Sequence, residues 1–174
     1  MIMFKERENA LAALQDAASL RDLSLNWQIQ SADCGYSYTK DWFGLPIIQR
    51  TDDIIQMSEL IFNVKPTCII ETGVARGGSI AFYASMLCLL DLADNVDPRV
   101  SNRRVIGIDI DIREANLQAL QSHPFSFKSK LIQGSSIDPE IVSNVKSQIK
   151  PEDKVMVILD SNHSDFSSIS HKLS

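Results

Sequence analysis

The stretch that decides the fold is Ile69-Ile70-Glu71-Thr72-Gly73-Val74-Ala75-Arg76-Gly77-Gly78-Ser79. A short β-branched apolar run leads into a turn with three glycines, and a long apolar segment follows it. This order predicts a buried strand over residues 67–71 and a buried helix over residues 79–92. We expect the turn between them to cradle the nucleoside part of a cofactor, because helix-start N–H groups and a close-passing glycine backbone suit such a ligand.

Strand and helix patterns alternate after this turn. Apolar strand patterns cover residues 105–110, 130–133 and 155–159, and a polar loop spans 94–104. Helix patterns cover residues 111–122 and the segment that begins at Asp138 and Pro139. Continuously apolar strands separated by helices predict an α/β fold, a Rossmann-like doubly wound, mainly parallel sheet with helices on both faces.

The part before the turn is less regular. Residues 51–65 predict a helix that begins with Thr51 as N-cap and stops at Pro66. Residues 4–20 predict a second helix, and residues 21–50 an irregular, aromatic-rich segment that either covers a site as a lid or packs as an arm. The predicted organisation is therefore an N-terminal helix and arm over residues 1–50 and a Rossmann-like domain over residues 51–174.

The amino-acid composition limits the classes of partner that the chain is expected to bind. The chain has 174 residues, 44% of them hydrophobic, and a net charge of −5, so nothing favours nucleic acid. No segment has the length of a membrane span or the pattern of a signal peptide, which predicts a cytoplasmic protein. Cys68 and Cys88 lie in apolar runs and are expected to be core residues.

Three cofactor classes compete for the glycine turn. A phosphate-binding P-loop requires a lysine where Ser79 stands, and a dinucleotide fold requires a glycine where Ala75 stands. S-adenosylmethionine has no phosphate and carries an amino group that Glu71 can attract directly or through water. The pattern therefore favours S-adenosylmethionine.

Parallel strands place their carboxyl ends at one edge of the sheet, where ligands bind. Acidic or small polar residues occupy four such ends, and Asp109 is a candidate acceptor for ribose hydroxyls, or alternatively a helix N-cap. Ser136 is expected near the adenine, although it and Asp138 could equally cap the next helix. The candidate cofactor-binding residues are Glu71, Gly73, Ala75, Gly77, Ser79, Asp109, Ser136 and Asp160.

Five segments resemble the cephalosporin hydroxylase / rhamnosyl O-methyltransferase family, namely residues 42–49, 70–79, 105–113, 131–138 and 157–163. The resemblance implies a class I methyltransferase fold, S-adenosylmethionine, and methyl transfer to a small-molecule or sugar hydroxyl. It also implies a divalent metal, usually magnesium, near the end of the fourth strand, with Asp160 as its ligand. Asp160 and His163 are then the catalytic candidates; His163 could serve as a general base, steady the metal shell, or simply face solvent at a helix start.

The sequence departs from the family pattern after His163, and four strands are found where the family fold has seven. We therefore expect a truncated or frame-shifted chain. An inactive nucleoside-binding remnant is the alternative to a working enzyme. Missing strands would leave an open sheet edge, so a homo-oligomer is possible on this view.

Overall fold

The computed structural model describes residues 5–161. The chain forms two compact units, the first ending at Thr39 and the second beginning at Lys40. His163, proposed above as a catalytic residue, lies outside the described residues.

The first unit is helical. Helix α1 (Lys5–Asp16) is followed by helix α2 (Ala18–Asp33), and neither contains a buried residue. The predicted helix over 4–20 is wrong at its end, because the helix is interrupted at Ala17 and a new helix begins at Ala18. The predicted irregular segment over 21–50 is likewise wrong as far as Asp33. That stretch contains no glycine or proline, so no strong helix breaker interrupts it.

The second unit opens with a small hairpin. Strands β1 (Asp41–Trp42) and β2 (Leu45–Pro46) pair antiparallel. Phe43 and Gly44 form the two-residue turn with φ angles of 47° and 87°, the positive pair that a type I′ turn requires. The domain boundary proposed at residue 50 stays a prediction, although this hairpin belongs by its contacts to the second unit.

A four-stranded parallel sheet forms the centre of the second unit. Its strands are β3 (Cys68–Thr72), β4 (Arg104–Asp109), β5 (Ser129–Gln133) and β6 (Val155–Leu159). Their order in the sheet is β5-β4-β3-β6, and each adjacent pair is parallel. The prediction of an α/β fold with a parallel sheet is confirmed.

Helices cover the sheet on both faces. They are α3 (Thr51–Val64), α4 (Gly78–Ala93), α5 (Glu114–Ser122) and α6 (Pro139–Ser147). One apolar core includes Ile69 and most of α4, and the second core packs Ile70 and Ile106 against Val145 of α6. Helix α4 is buried nearly all round, as its sequence predicted.

Helix starts differ in detail from the prediction. Helix α3 includes Thr51, and its N-cap is Arg50. Helix α5 begins three residues later than expected, with Arg113 as its N-cap. Asp138 does cap α6, because its carboxylate accepts a hydrogen bond from the N–H of Glu140 at 2.8 Å. In the part of the chain that the structure describes, no helix combines the length and apolar character needed to cross a bilayer.

Candidate functional site

A cavity of about 560 Å3 lies at the carboxyl ends of the four parallel strands. This volume suits a ligand of nucleoside size. Its charged lining residues among those described are Arg76, Asp109 and Asp160. The other lining residues named by the prediction are Gly73, Ala75, Ser79 and Ser136. The structure therefore brings six of the eight candidate binding residues to one cavity.

Gly73 forms the tightest point of this site. Its φ angle is +98°, and a Cβ atom built on it would lie 2.3 Å from the carbonyl oxygen of Asp160. The N–H of Gly73 donates to the carbonyl of Ile108 at 2.8 Å, and the N–H of Asp160 donates to the carbonyl of Thr72 at 2.9 Å. The backbone after β3 is thus fixed between the ends of β4 and β6 and leaves no room for a side chain.

Asp109 holds the glycine turn in place. Its Oδ2 accepts hydrogen bonds from the N–H of Val74 at 2.8 Å and of Ala75 at 3.0 Å. Its Oδ1 accepts from the N–H of Asp111 at 3.1 Å. The carboxylate therefore ties the end of β4 to a turn 34 and 35 residues earlier in the chain. Because an ionised carboxylate has about four acceptor positions, one remains for a ligand.

Glu71 lies behind the cavity rather than in its wall. The residue is fully buried, and its Oε2 accepts a hydrogen bond from the Ser79 hydroxyl at 2.8 Å. Its Oε1 makes no hydrogen bond of standard geometry in the described part of the chain, although the Tyr83 hydroxyl interacts with the same carboxyl and lowers its pKa. Burial raises the pKa of Glu71 to about 8, which the Ser79 hydrogen bond opposes and the negative charge of Asp160 reinforces. Ser79 lines the cavity, so it stands between Glu71 and any ligand there.

Gly77 also lies away from the cavity wall. It is the N-cap of α4 with a φ angle of 87°, and a Cβ atom there would meet the side chain of Leu120 at 2.4 Å. Its observed role is to let α4 start close to α5. Gly77 and Glu71 are the two candidate binding residues that the structure leaves out of the cavity lining.

The candidate binding residues included none from the end of β2 or the segment after it, within the stretch over 21–50 that was predicted to be a lid or an arm. Pro46, Ile48 and Gln49 line the cavity. The amide nitrogen of Gln49 also donates to the Tyr83 hydroxyl at 3.4 Å. Burial raises the pKa of Tyr83, and the nearby Glu71 carboxylate raises it further. These lining residues lie within one of the segments that carry the family resemblance, which was the signal available in the sequence.

The described residues do not form a metal site by themselves. Across residues 5–161, no group of three or more His, Cys, Asp or Glu side chains is placed to hold an ion. Asp160 is exposed at the cavity and remains a single candidate ligand. Magnesium needs near-octahedral oxygen coordination, which one carboxylate does not supply without waters or a ligand's oxygens.

The parallel sheet, the glycine turn and the cavity at the strand ends define a Rossmann-like α/β protein. Comparison with known families then narrows this class. The model of the rhamnosyl O-methyltransferase/CmcI family matches residues 34–171, and the chain belongs to that family. The family expected from the five sequence segments is therefore confirmed.

Individual relatives agree with this assignment. A rhamnosyl O-methyltransferase from Mycobacterium leprae (strain TN) is 25% identical over 128 residues, which cover 72% of this chain and 49% of the relative. A structure of CmcI described with Mg and SAM superposes with a TM-score of 0.55 at 20% identity, covering 77% of this chain and 51% of CmcI. An apo structure of CmcI gives a TM-score of 0.51 at 21% identity, covering 74% of this chain and 48% of CmcI. The chain thus spans about half the length of the relatives it matches.

Proposed function

We propose that this chain carries the cofactor-binding part of an S-adenosylmethionine-dependent O-methyltransferase that acts on a small-molecule or sugar hydroxyl. The observation that carries the proposal is the turn at Gly73–Ala75, held by Asp109 and open to a cavity of about 560 Å3. Membership in the rhamnosyl O-methyltransferase/CmcI family supports the same chemistry. A cytoplasmic location remains part of the proposal.

The charge of the cavity supports a cofactor without phosphates. Two acids, Asp109 and Asp160, line it together with Arg76, and no lysine is found among its described lining residues. A polyphosphate would meet this net negative wall without the cation that a P-loop supplies. A ligand with a sulfonium and an amino group gains from the same wall.

The residues of the chain then have separable roles. The remaining acceptor position of Asp109 would bind a ribose hydroxyl, and the bare backbone of Gly73 would let the ligand lie close to the sheet. The first-turn N–H groups of α4, which have no partner within the helix, would meet a carboxylate near Ser79. S-adenosylmethionine supplies the methyl group when bound, and the chain contributes mainly positioning, which can account for much of the rate in such a transfer.

Glu71 enters this scheme indirectly. Burial raises its pKa to about 8, which favours the neutral carboxyl over the ionised form, and the neutral form attracts an ammonium group less than an ionised acid would. Its hydrogen bond from Ser79 fixes a hydroxyl that lines the cavity. We propose Glu71 as a residue that positions Ser79, in place of the attraction for the amino group, directly or through water, that its sequence position suggested.

Metal assistance through Asp160 is a separate part of the proposal. It rests on Asp160 and on the CmcI structure described with Mg and SAM. Within residues 5–161, Asp160 would hold a magnesium ion only if waters or oxygens of a ligand completed the coordination. A general-base role for His163 is likewise a proposal, which rests on the family resemblance of the sequence.

Calorimetric titration of the 174-residue chain tests the cofactor. We expect S-adenosylmethionine to bind with micromolar affinity, and ATP and NAD to bind far more weakly. Asp109→Ala should weaken binding about tenfold or more, as expected for a lost charged hydrogen bond. Asp111→Ala is the matched control, because that side chain is exposed and only pairs with Arg113 at 3.5 Å.

The outcomes separate the two readings of the chain. Absence of heat at millimolar S-adenosylmethionine would contradict the proposal and leave an inactive remnant. Binding without formation of S-adenosylhomocysteine, over a panel of sugar and phenolic acceptors, would retain the cofactor and reject catalysis by this chain. Repeating both assays with magnesium and with a chelator decides whether a metal takes part.

A further inference from the structure

The segment that follows the hairpin lies directly against the start of α4. A Cβ atom built on Gly78 would clash with the carbonyl oxygen of Pro46, so the two backbones are in contact. Ile47 is buried in the core that includes most of α4. On the other side of Pro46, the indole N–H of Trp42 donates to the Ser85 hydroxyl of α4 at 3.2 Å. The segment is therefore fixed against α4 both before and after Pro46.

Gln49, at the end of this segment, has both a buried partner and a place in the cavity wall. Its side-chain nitrogen donates to the hydroxyl of Tyr83 at 3.4 Å, and the residue lines the cavity. Tyr83 is fully buried and lies about one turn beyond Ser79 on α4. The hydroxyl of Tyr83 therefore holds the Gln49 side chain next to the cavity.

The direction of these hydrogen bonds determines which amide atom of Gln49 faces a ligand. Against the effect of burial, the Tyr83 hydroxyl lowers the pKa of the Glu71 carboxyl, which is the effect of a hydroxyl that donates to the carboxylate. A hydroxyl has a single hydrogen, so toward Gln49 the same oxygen acts as an acceptor. The NH2 group of Gln49 is thus turned toward Tyr83. Its amide oxygen, on the same planar group, is directed away from Tyr83.

The position of Gln49 along the cavity indicates which part of the proposed cofactor it would meet. The sheet order is β5-β4-β3-β6, with Asp109 at the end of β4 and Ser136 shortly after β5. Gln49 lies beside Tyr83 of α4, the helix that follows β3. A nucleoside bound through Asp109, with its adenine near Ser136, would therefore direct its 5′ substituent toward Gln49.

From these contacts we propose that Gln49 binds the amino group of S-adenosylmethionine through its amide oxygen, and that Tyr83 positions Gln49 for this contact. The inference rests on the proposed function and gives the amino group a partner other than Glu71. An ammonium group has only N–H donors, so an oxygen with no hydrogen of its own is a suitable partner. The carboxylate on the same carbon atom would meet the first-turn N–H groups of α4. Both groups at the amino-acid end of the cofactor then have complementary partners at one helix start.

Three ligands that share adenosine and a thioether isolate the amino group. S-adenosylhomocysteine has the amino group and the carboxylate, its desamino analogue has only the carboxylate, and 5′-methylthioadenosine has neither. Calorimetric titration of the full chain measures the dissociation constant of each ligand. For Gln49→Ala we expect S-adenosylhomocysteine to bind at least about tenfold more weakly, as for a lost hydrogen bond to a charged group. The other two ligands should stay within about twofold of the parent.

Three further variants separate recognition from positioning and from folding. Tyr83→Phe keeps the buried ring and removes the hydroxyl that holds Gln49, so it should weaken S-adenosylhomocysteine about threefold and leave the desamino analogue unchanged. Asp109→Ala should weaken all three ligands alike, because each has the ribose that Asp109 is proposed to bind. Gln118→Ala is the matched control, since this exposed glutamine bonds Glu114 of its own helix. Circular dichroism checks that each variant is folded.

Equal changes for all three ligands in Gln49→Ala, or no change for any, would overturn the inference. Weaker binding of S-adenosylhomocysteine and of its desamino analogue, with 5′-methylthioadenosine unchanged, would assign Gln49 to the carboxylate and overturn it as well. In these cases the parent chain still binds S-adenosylhomocysteine, so the proposed function stands. A parent chain that binds none of the three ligands contradicts the proposed function and this inference together.

Discussion

Glu71 and Asp109 both lie near the carboxyl ends of adjacent strands, with Asp109 two residues further along the sheet, yet the structure uses them in opposite ways. Glu71 is fully buried, accepts one hydrogen bond through Oε2, and has a pKa raised to about 8 by burial. Asp109 is half-exposed at the cavity and accepts three hydrogen bonds from backbone N–H groups. An acid at the end of a parallel strand therefore has no fixed role.

The difference comes from what lies beyond each strand. After Glu71 the chain turns at Gly73 and runs into α4, which covers the carboxyl with Ser79. After Asp109 the chain leaves toward α5 over a surface segment, so the carboxylate can turn to the free N–H groups of the neighbouring turn. Glu71 supports the site from the buried side through Ser79, and Asp109 supports it from the cavity wall. Substitutions can therefore remove one of these supports at a time.

The largest effect is expected at Gly73. A Cβ atom at this position would lie 2.3 Å from a backbone oxygen, on a residue with a φ angle of +98°. Gly73→Ala should lower the free energy of unfolding by about 4 kcal/mol, because strain at positive φ adds to a clash that no side chain can relieve. Denaturant unfolding measures it.

Gly44→Ala is the matched control for that change. Gly44 has a φ angle of +87°, and nothing lies within 4 Å of its Cβ position. Only the conformational cost remains there, about 1–2 kcal/mol. Equal losses in the free energy of unfolding for the two variants would show that a Cβ atom at position 73 does not clash with the backbone at the end of β6.

The second prediction concerns the pH dependence that Glu71 imposes. Its pKa is raised from an ordinary value of 4.5 to about 8 in the folded chain. Between those values the unfolded chain loses the proton while the folded chain keeps it, so stability falls as pH rises, by at most about 1.4 kcal/mol per pH unit. Glu71→Gln removes this loss. From pH 5 to pH 8 the variant should gain about 3 kcal/mol relative to the parent.

Taking the difference between parent and variant cancels the other titrating groups. Glu152→Gln is the control, because it replaces an acid that is exposed in a turn and leaves Glu71 in place. A parallel offset for Glu71→Gln as well would mean that Glu71 is ionised in the folded protein at neutral pH.

The third prediction concerns removal of the Asp109 carboxylate at the cavity wall. Asp109→Ala leaves the N–H groups of Val74, Ala75 and Asp111 without their acceptor and should cost about 2 kcal/mol of stability. Asp109→Asn retains a single acceptor oxygen and should cost about half as much. Thermal unfolding of both variants beside Asp111→Ala gives the ranking. If alanine and asparagine are equally tolerated, the carboxylate does not hold the turn.

How much of this could be read from the sequence differs between parts of the molecule. The four strands of the parallel sheet were predicted to within one or two residues, because apolar β-branched runs between helices have few other interpretations. Helix α2 was missed because its apolar residues follow no single face and none is buried. Periodicity detects a helix by the face it buries, so it gives no signal there.

The candidate site shows a similar limit. Placing Asp109, Asp160 and Ser136 at one edge required only the parallel topology, and the cavity does contain them. Placing Glu71 behind Ser79 required the packing of α4, and tying Asp109 to Ala75 required a contact across 34 residues of chain. Such contacts depend on three-dimensional packing that local pattern does not encode.

The smallest effect separates the two ends most finely. Ser79→Ala removes the hydrogen bond to Glu71 and should cost about 1 kcal/mol, with Ser58→Ala, whose hydroxyl bonds only the Ile55 carbonyl of its own helix, as control. Because the Ser79 hydroxyl lowers the pKa of Glu71 in the folded chain, its loss should raise the upper pH at which stability stops falling. The asparagine and alanine variants of Asp109 should leave this upper pH nearly unchanged, since burial dominates the pKa of Glu71. If this upper pH shifts in the Asp109 variants and stays unchanged in Ser79→Ala, then Glu71 and Asp109 titrate as one coupled pair.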